Sequence, residues 1–248
     1  MERFDTDGFM LEQDIPPYSC HGNTLEAPGI HLSEVSTHIY FGSDEERFNG
    51  FWLDYIEAHK DERGASGARA LLTVTRLLLL DSLPGSDTQL GLSPEASVLE
   101  RAIVYIVEFI LPSDKERIEF LQEGRITQYL DQPVDPIRLN GLLDEGAVGV
   151  RGISALSQVV SSIGLLCGYY AIFETGQGHL GWGPPGISKG DVIGFLFGFE
   201  MPVVLRKIDS HYIYIGACYI VGIMDGDPLV GIDKGSHCIK RFNIESDG

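Results

Sequence analysis

Three glycines in the segment GQGHLGWGPPG have the spacing of a dinucleotide-binding loop. Gly176, Gly178 and Gly181 form the pattern G-x-G-x-x-G, which lets the backbone approach a pyrophosphate at the start of a helix. The residues that follow, Trp182-Gly183-Pro184-Pro185-Gly186, cannot begin a helix because proline and glycine disfavour it there. The segment therefore predicts turns, with Gly176 and Gly178 in a hairpin, and no nucleotide cofactor.

The remaining motifs indicate no nucleophile, phosphate loop or metal site. The chain has neither a G-x-S-x-G elbow nor a G-K-[ST] loop. Asp225-Gly226-Asp227 could open a calcium loop, but the acid that should complete the loop is missing, which favours a turn. The four cysteines show no C-x-x-C spacing, which is typical of reduced, mostly buried thiols in a cytosolic protein. We expect no metal and no cofactor.

Three side chains in the last third of the chain could donate hydrogen bonds to a carbonyl group: Arg206, Tyr219 and His179. Arg206 follows the apolar run PVVL, and a guanidinium at a strand end can offer paired donors to a carboxylate or carbonyl. The alternative for Arg206 is a structural ion pair with one of three acids, Asp191, Glu200 or Asp209.

Aromatic residues are frequent in the same region. Most such residues form a core or cross-strand pairs, but some line ligand cavities. The candidate walls of an apolar cavity are Trp182, Tyr169, Tyr170 and Phe173. For Trp182 the sequence leaves open whether the indole belongs to such a wall or to the core.

The charge of the chain limits its partners. Among 248 residues there are 36 acidic and 18 basic side chains, for a net charge of −18. Such a field repels phosphate backbones and anionic lipid, so we expect no nucleic acid and no membrane as a partner. The N-terminus lacks the apolar run of a signal peptide. We therefore expect a cytoplasmic protein.

The first half of the chain predicts an extended segment followed by helices. Apolar residues alternate at Ile30, Leu32, Val35 and Ile39 with one break of phase, which indicates a strand. A helix should follow Ser43, a candidate N-cap with Glu46 three residues later.

Three further helices are expected. Leu71–Leu80 is apolar on almost every side, so its helix should be buried. Another should begin at Ser93 and Pro94 and stop before Pro112, and a last one should run from Ser113 to Gly124. The loop-rich stretch Asp131–Gly149 is either a lid or an ordered connection.

From Tyr169 onward the chain changes to short β-rich runs separated by glycine, proline and aspartate turns, which predicts a small barrel or a bent sheet. We therefore predict an α+β fold in one domain, 1–248: a helical block packed on a C-terminal β-barrel-like sheet, with an extended N-terminal segment. Its parts are an extended segment (1–45), the helical block (46–130), a connection with a helix (131–168) and the β-rich unit (169–248).

The β-rich unit contains a Gly-x-Leu-Gly-x-Gly-Pro turn, a Gly-Asp step, a Pro and Leu-Arg strand, and a closing Gly-x-Met-x-Gly. The positions of this pattern are Thr175, Gly178, Leu180, Gly181, Gly183, Pro184, Gly190, Asp191, Gly198, Pro202, Leu205, Arg206, Tyr212, Gly216, Tyr219, Gly222, Met224 and Gly226. In this pattern the unit resembles the C-terminal region of fungal heterokaryon-incompatibility proteins.

The chain departs from that family in three ways. We expect no counterpart of the family's N-terminal incompatibility domain, which carries the cell-death activity. Tyr169 and Tyr170 stand where the family usually has a basic pair, and Ala217 stands where an acid often precedes the Cys-Tyr step. The exchanges either make a site more apolar or are neutral changes on a surface.

Two functions remain open. The first is a cofactor-independent cyclase or isomerase, of Diels–Alder type, for an apolar terpenoid or polyketide intermediate of fungal secondary metabolism. Its donors would be Arg206, Tyr219 and His179. We expect its site where the helical block meets the β-rich unit, roofed by the loop around Trp182. The second is a non-catalytic regulatory or interaction module of self/non-self recognition, with a protein as its partner.

Overall fold

The structure is a computed structural model that describes residues 18–42, 44–62, 69–82, 96–111, 161–224 and 239–245. The helices in these ranges are α1 (Glu45–Ala58), α2 (Ala70–Leu79), α3 (Ala96–Ile110) and α4, of which residues 161–169 are described. The strands are β1 (Ser19–His21), β2 (Thr24–Ile39), β3 (Ala171–Thr175), β4 (Leu180–Gly183), β5 (Val192–Leu196), β6 (Val203–Ile208), β7 (His211–Ala217), β8 (Tyr219–Ile220) and β9 (Ile239–Glu245). The predicted mixture of helices and sheet is confirmed.

The nine strands in the described part of the chain belong to one sheet, in the order β5-β6-β7-β9-β2-β3-β4-β8, with β1 on β2. Neighbours are antiparallel except β7 and β9, which run parallel. An additional pairing joins β5 to β2, so that β2, β5, β6, β7 and β9 close into a ring of hydrogen-bonded strands. We call these five strands the strand ring.

The long strand β2 makes this topology possible. Its first half pairs with β9, its middle with β5 and its last residues with β3. The register shifts between His31 and Ser33 and again between Val35 and Thr37. A bulge bends a strand and exchanges its faces, so these shifts explain the break of phase between Leu32 and Val35.

The N-terminal strand β2 lies inside the sheet and pairs with strands from both ends of the chain. Residues 1–45 and 169–248, which were predicted as two parts of one domain, thus contribute to the same sheet. The alternation of apolar residues along β2 predicts which faces of the strand are covered. It does not predict which strands pair with β2.

The described residues form three apolar layers. The first fills the strand ring: Ala27, Val192, Leu196, Val203, Leu205, Phe242 and Ile244. The second covers the outer face of β5 and β6 and contacts β3 through Ala171 and Phe173. The third joins the helices to the opposite face of β3 and β4, where Ile172, Leu180 and Trp182 meet α1, α2 and α3.

The predicted buried helix is confirmed as α2, in which nine of ten residues are buried. The N-cap of α1 is Asp44, whose carboxylate accepts from the Arg47 N–H at 3.0 Å. The predicted cap, Ser43, lies outside the described residues. Serine and aspartate both cap helices, so the sequence offered two candidates side by side. No helix in the described ranges is long and apolar enough to cross a membrane.

Several predictions fall on residues outside the described ranges. These are the Ser93 cap with Pro94, the helix from Ser113 to Gly124, the stretch 131–149 and the Asp225-Gly226-Asp227 turn.

Candidate functional site

Two side chains of the β-rich unit reach the same end of α2. Trp182 in β4 and Tyr219 in β8 are register partners. The Trp182 indole N–H donates to the Leu77 carbonyl at 3.0 Å, and the Tyr219 hydroxyl donates to the Asp81 carboxylate. The last turn of α2 is thus attached to the edge of the sheet by two neighbouring strands.

The Asp81 carboxylate also binds a buried cation. Arg76 Nε donates to one carboxylate oxygen and the Tyr219 hydroxyl to the other. The Arg76 side chain is 0% exposed and that of Asp81 is 12% exposed. We call Arg76, Asp81 and Tyr219 the junction network. Its ion pair is largely removed from water, so the loss of either charge should destabilise the fold.

An unusual backbone turn presents Asp81 to Arg76. Leu80 and Asp81 both adopt positive φ, +50° and +59°, in the left-handed region that costs most residues about 1–2 kcal/mol. The Leu80 N–H donates to Leu77 O at 3.3 Å and the Asp81 N–H to Arg76 O at 2.9 Å. These two bonds form a Schellman-type helix end, which folds Asp81 back over the last turn of α2.

His179 lies at the turn between β3 and β4. Its backbone N–H donates to Thr175 Oγ1 at 3.1 Å. Burial lowers the pKa of the imidazole, and a hydrogen bond with the backbone of Val221 opposes that shift. A histidine with a lowered pKa is neutral at pH 7, so His179 can donate one hydrogen bond there without carrying charge.

Arg206 lies elsewhere, on β6, and forms the ion pair with Asp191 that the sequence analysis left as the alternative. Its Nε and Nη2 donate to the two Asp191 oxygens, both at 2.9 Å. Nη2 also donates to Gly186 O at 2.7 Å, and Asp191 accepts the Ser188 N–H at 2.7 Å. The Arg206 side chain thus links strand β6 to the turn that joins β4 and β5.

Trp182 and Phe173 occupy the core. Each side chain is almost fully buried, and they belong to the third and second apolar layers, on opposite faces of β3 and β4. The prediction that a loop around Trp182 forms a roof over the site is wrong, since Trp182 lies within strand β4. The flanking Gly181 is needed because a Cβ there would lie 2.5 Å from both the Phe173 ring and Tyr219 O.

The two tyrosines that depart from the family pattern point to solvent. Tyr169 is 67% exposed, and Tyr170, Leu165 and Tyr40 are also exposed. The Tyr40 hydroxyl donates to Gly168 O at 2.8 Å, and the pairing of Ile39 with Ile172 brings the end of β2 beside the start of β3. We call Tyr40, Leu165, Tyr169 and Tyr170 the tyrosine surface.

The predicted site residues thus lie in separate places. Tyr219, Trp182 and His179 lie on or beside the β4–β8 pair, Arg206 on β6, and Tyr169 with Tyr170 on the surface. Their roles stay predictions.

Sequence reasoning missed Arg76, Asp81 and Tyr40. A lone arginine within the apolar run LLTVTRLLLL, with an aspartate five residues later, was an available signal for the first two.

One comparison with known proteins gives a match. Residues 167–233 match the family model of the Het-6 beta-barrel domain. The match begins in α4 and covers β3 to β8, which includes the residues that suggested the heterokaryon-incompatibility resemblance. No curated protein and no solved structure matches the chain significantly.

Proposed function

We propose that this chain is a non-catalytic interaction module related to heterokaryon-incompatibility proteins, which binds a protein partner through the tyrosine surface. The observation that carries this proposal is the exposure of Tyr169 and Tyr170 beside Leu165 and Tyr40. Isolated exposed apolar residues are ordinary on a soluble protein, but adjacent ones mark interaction sites.

Tyrosine suits such a surface physically. Its ring gives a large contact area with few rotatable bonds, and its hydroxyl remains able to hydrogen-bond, which is why tyrosine is enriched in interfaces. Tyr40 is already oriented by its bond to Gly168 O. The Tyr170 N–H donates to Leu166 O at 2.8 Å, which fixes the backbone where α4 ends. A partner would therefore meet a surface that loses little freedom on binding.

A site-specific crosslinking experiment tests this proposal. A photoreactive phenylalanine analogue at position 169 should crosslink a discrete partner in an extract of the source organism. The same analogue at Tyr214, which is 45% exposed on β7, serves as the matched control. The Tyr170→Ser substitution should remove the position-169 product. Equal products from both positions would contradict the proposal.

A second candidate is the cofactor-independent cyclase or isomerase, which the junction network supports. Tyr219 donates to a carboxylate that Arg76 holds in place, and a phenol beside a carboxylate can act in proton transfer. The network also lies where the sequence analysis expected the site, between the helices and the β-rich unit.

The test of this candidate is a panel of linear polyene and diene-bearing precursors. Wild-type protein should accelerate cyclisation or isomerisation of at least one, and Tyr219→Phe should slow that reaction at equal folded fraction. The absence of acceleration across the panel would exclude the candidate for those substrate classes.

We also infer that the strand ring is the barrel of the matched domain. Three of its strands, β5, β6 and β7, lie within residues 167–233, whereas β2 and β9 lie outside that range. Completion of the ring would then require both flanking parts of the chain, since a sheet of three strands leaves two open edges.

A further inference from the structure

An acidic segment follows Tyr40 in the chain. The Asp44 N–H at the start of α1 donates to Phe41 O at 3.3 Å. The residues that follow are Asp44, Glu45, Glu46 and Arg47, three acids and one base. Asp44 and Glu46 are exposed.

The helix that carries Leu165 and Tyr169 has no charge in its described part. Residues 161–169 of α4 contain no acidic or basic side chain, so no lysine or arginine of this segment would repel a cation that approaches Tyr169. The chain as a whole carries a net charge of −18, and such a field attracts cationic partners and speeds their encounter.

An aromatic ring beside this surface already binds a guanidinium group. Arg47 Cζ lies 5.6 Å from the centroid of the Phe41 ring, within the range of a cation–π interaction. The exposed rings of Tyr40, Tyr169 and Tyr170 offer the same chemistry to a cation from outside the chain.

We propose that the tyrosine surface binds an arginine-rich segment of a partner protein. This inference rests on the proposed interaction function and adds the chemistry of the partner. Arginine fits better than lysine because its planar guanidinium stacks on aromatic rings and also forms paired bonds with carboxylates. The rings would hold the guanidinium faces, and Asp44 and Glu46 would accept hydrogen bonds at the edge.

Fluorescence anisotropy with labelled peptides tests this inference on the full chain. The probe is a peptide of four Arg-Ser-Gly repeats, and the comparison peptides replace arginine by lysine or by glutamate. The variants are Tyr169→Ser/Tyr170→Ser, the ring-conserving Tyr169→Phe/Tyr170→Phe, and the control Tyr214→Ser. Measurements at about 20 and about 200 mM salt separate long-range attraction from contact. Thermal melting checks that every variant is folded.

The arginine peptide should bind wild-type protein more tightly than the lysine peptide, and the glutamate peptide should not bind. The double serine variant should weaken binding by about tenfold, whereas the double phenylalanine variant and Tyr214→Ser should change it by less than about twofold. Equal weakening by the double serine variant and Tyr214→Ser would overturn the inference, because attraction would then come from total charge alone. Absence of arginine-peptide binding, or equal binding of the glutamate peptide, would also overturn it. The crosslinking result does not depend on the charge of the partner. The proposed interaction function therefore stands or fails separately from the inference about an arginine-rich partner.

Discussion

The sharpest stability prediction concerns the carboxylate of the junction network. Asp81→Ala should remove the carboxylate to which the buried Arg76 Nε donates. The Arg76 side chain is 0% exposed, and removal of one member of a buried pair costs about 3–5 kcal/mol. For a chain of this length, that loss corresponds to a decrease in melting temperature of about 6–20 °C.

The contribution of the backbone must be separated from that of the ion pair. Asp209 also adopts positive φ, +49°, but it is exposed in the turn between β6 and β7. Asp209→Ala therefore introduces a similar left-handed alanine without a buried charge, and should cost about 1 kcal/mol. The difference between Asp81→Ala and Asp209→Ala isolates the contribution of the Arg76–Asp81 ion pair.

Urea unfolding followed by tryptophan fluorescence measures these free energies. Both tryptophans, Trp52 and Trp182, are buried in the apolar layer beside α2, so their emission should report separation of this junction. In a double-mutant cycle, Arg76→Met with Asp81→Ala should cost less than the sum of the single changes, with a coupling of about 1–3 kcal/mol. If the two changes are additive, or if Asp81→Ala costs no more than Asp209→Ala, the account of the network is wrong.

Three further predictions follow from the same junction. Trp182→Ala should lower the free energy of unfolding by about 3–5 kcal/mol in urea titrations, whereas a nearly unchanged midpoint would show that the indole is not a core residue. Gly181→Ala should destabilise by about 1–3 kcal/mol, because its Cβ would lie 2.5 Å from the Phe173 ring; Gly50→Ala on α1, where nothing lies within 4 Å of the added Cβ, is the control and should not destabilise. Burial lowers the pKa of folded His179 below its unfolded value, so its contribution is complete above the unfolded pKa and is lost as the pH falls below it. Between pH 7 and pH 5 the unfolding free energy of wild-type protein should therefore fall more steeply than that of His179→Gln, and parallel pH profiles would contradict this assignment.

Local sequence patterns determined most of the individual elements. The apolar run at residues 71–80 is sufficient to predict a buried helix, since a helix without a polar face has to be covered on most sides. The hairpin at Gly176 and Gly178 follows in the same way from turn chemistry, and Gly178 has a φ of +82° that glycine adopts without strain. The break of phase in β2 was visible because a bulge changes which residues face the core.

Only the tertiary structure decided which elements meet. Asp81 and Tyr219 are 138 residues apart, and alternation within a strand shows that one face is covered without showing by what. The same limit explains Trp182 and Tyr169: both are large aromatic residues near glycines, yet one lies under α2 and the other in solvent. Hydrophobic burial is non-directional, so the residue types fix how much surface must be buried. The pairing of β2 with strands from both ends of the chain fixes which surface that is.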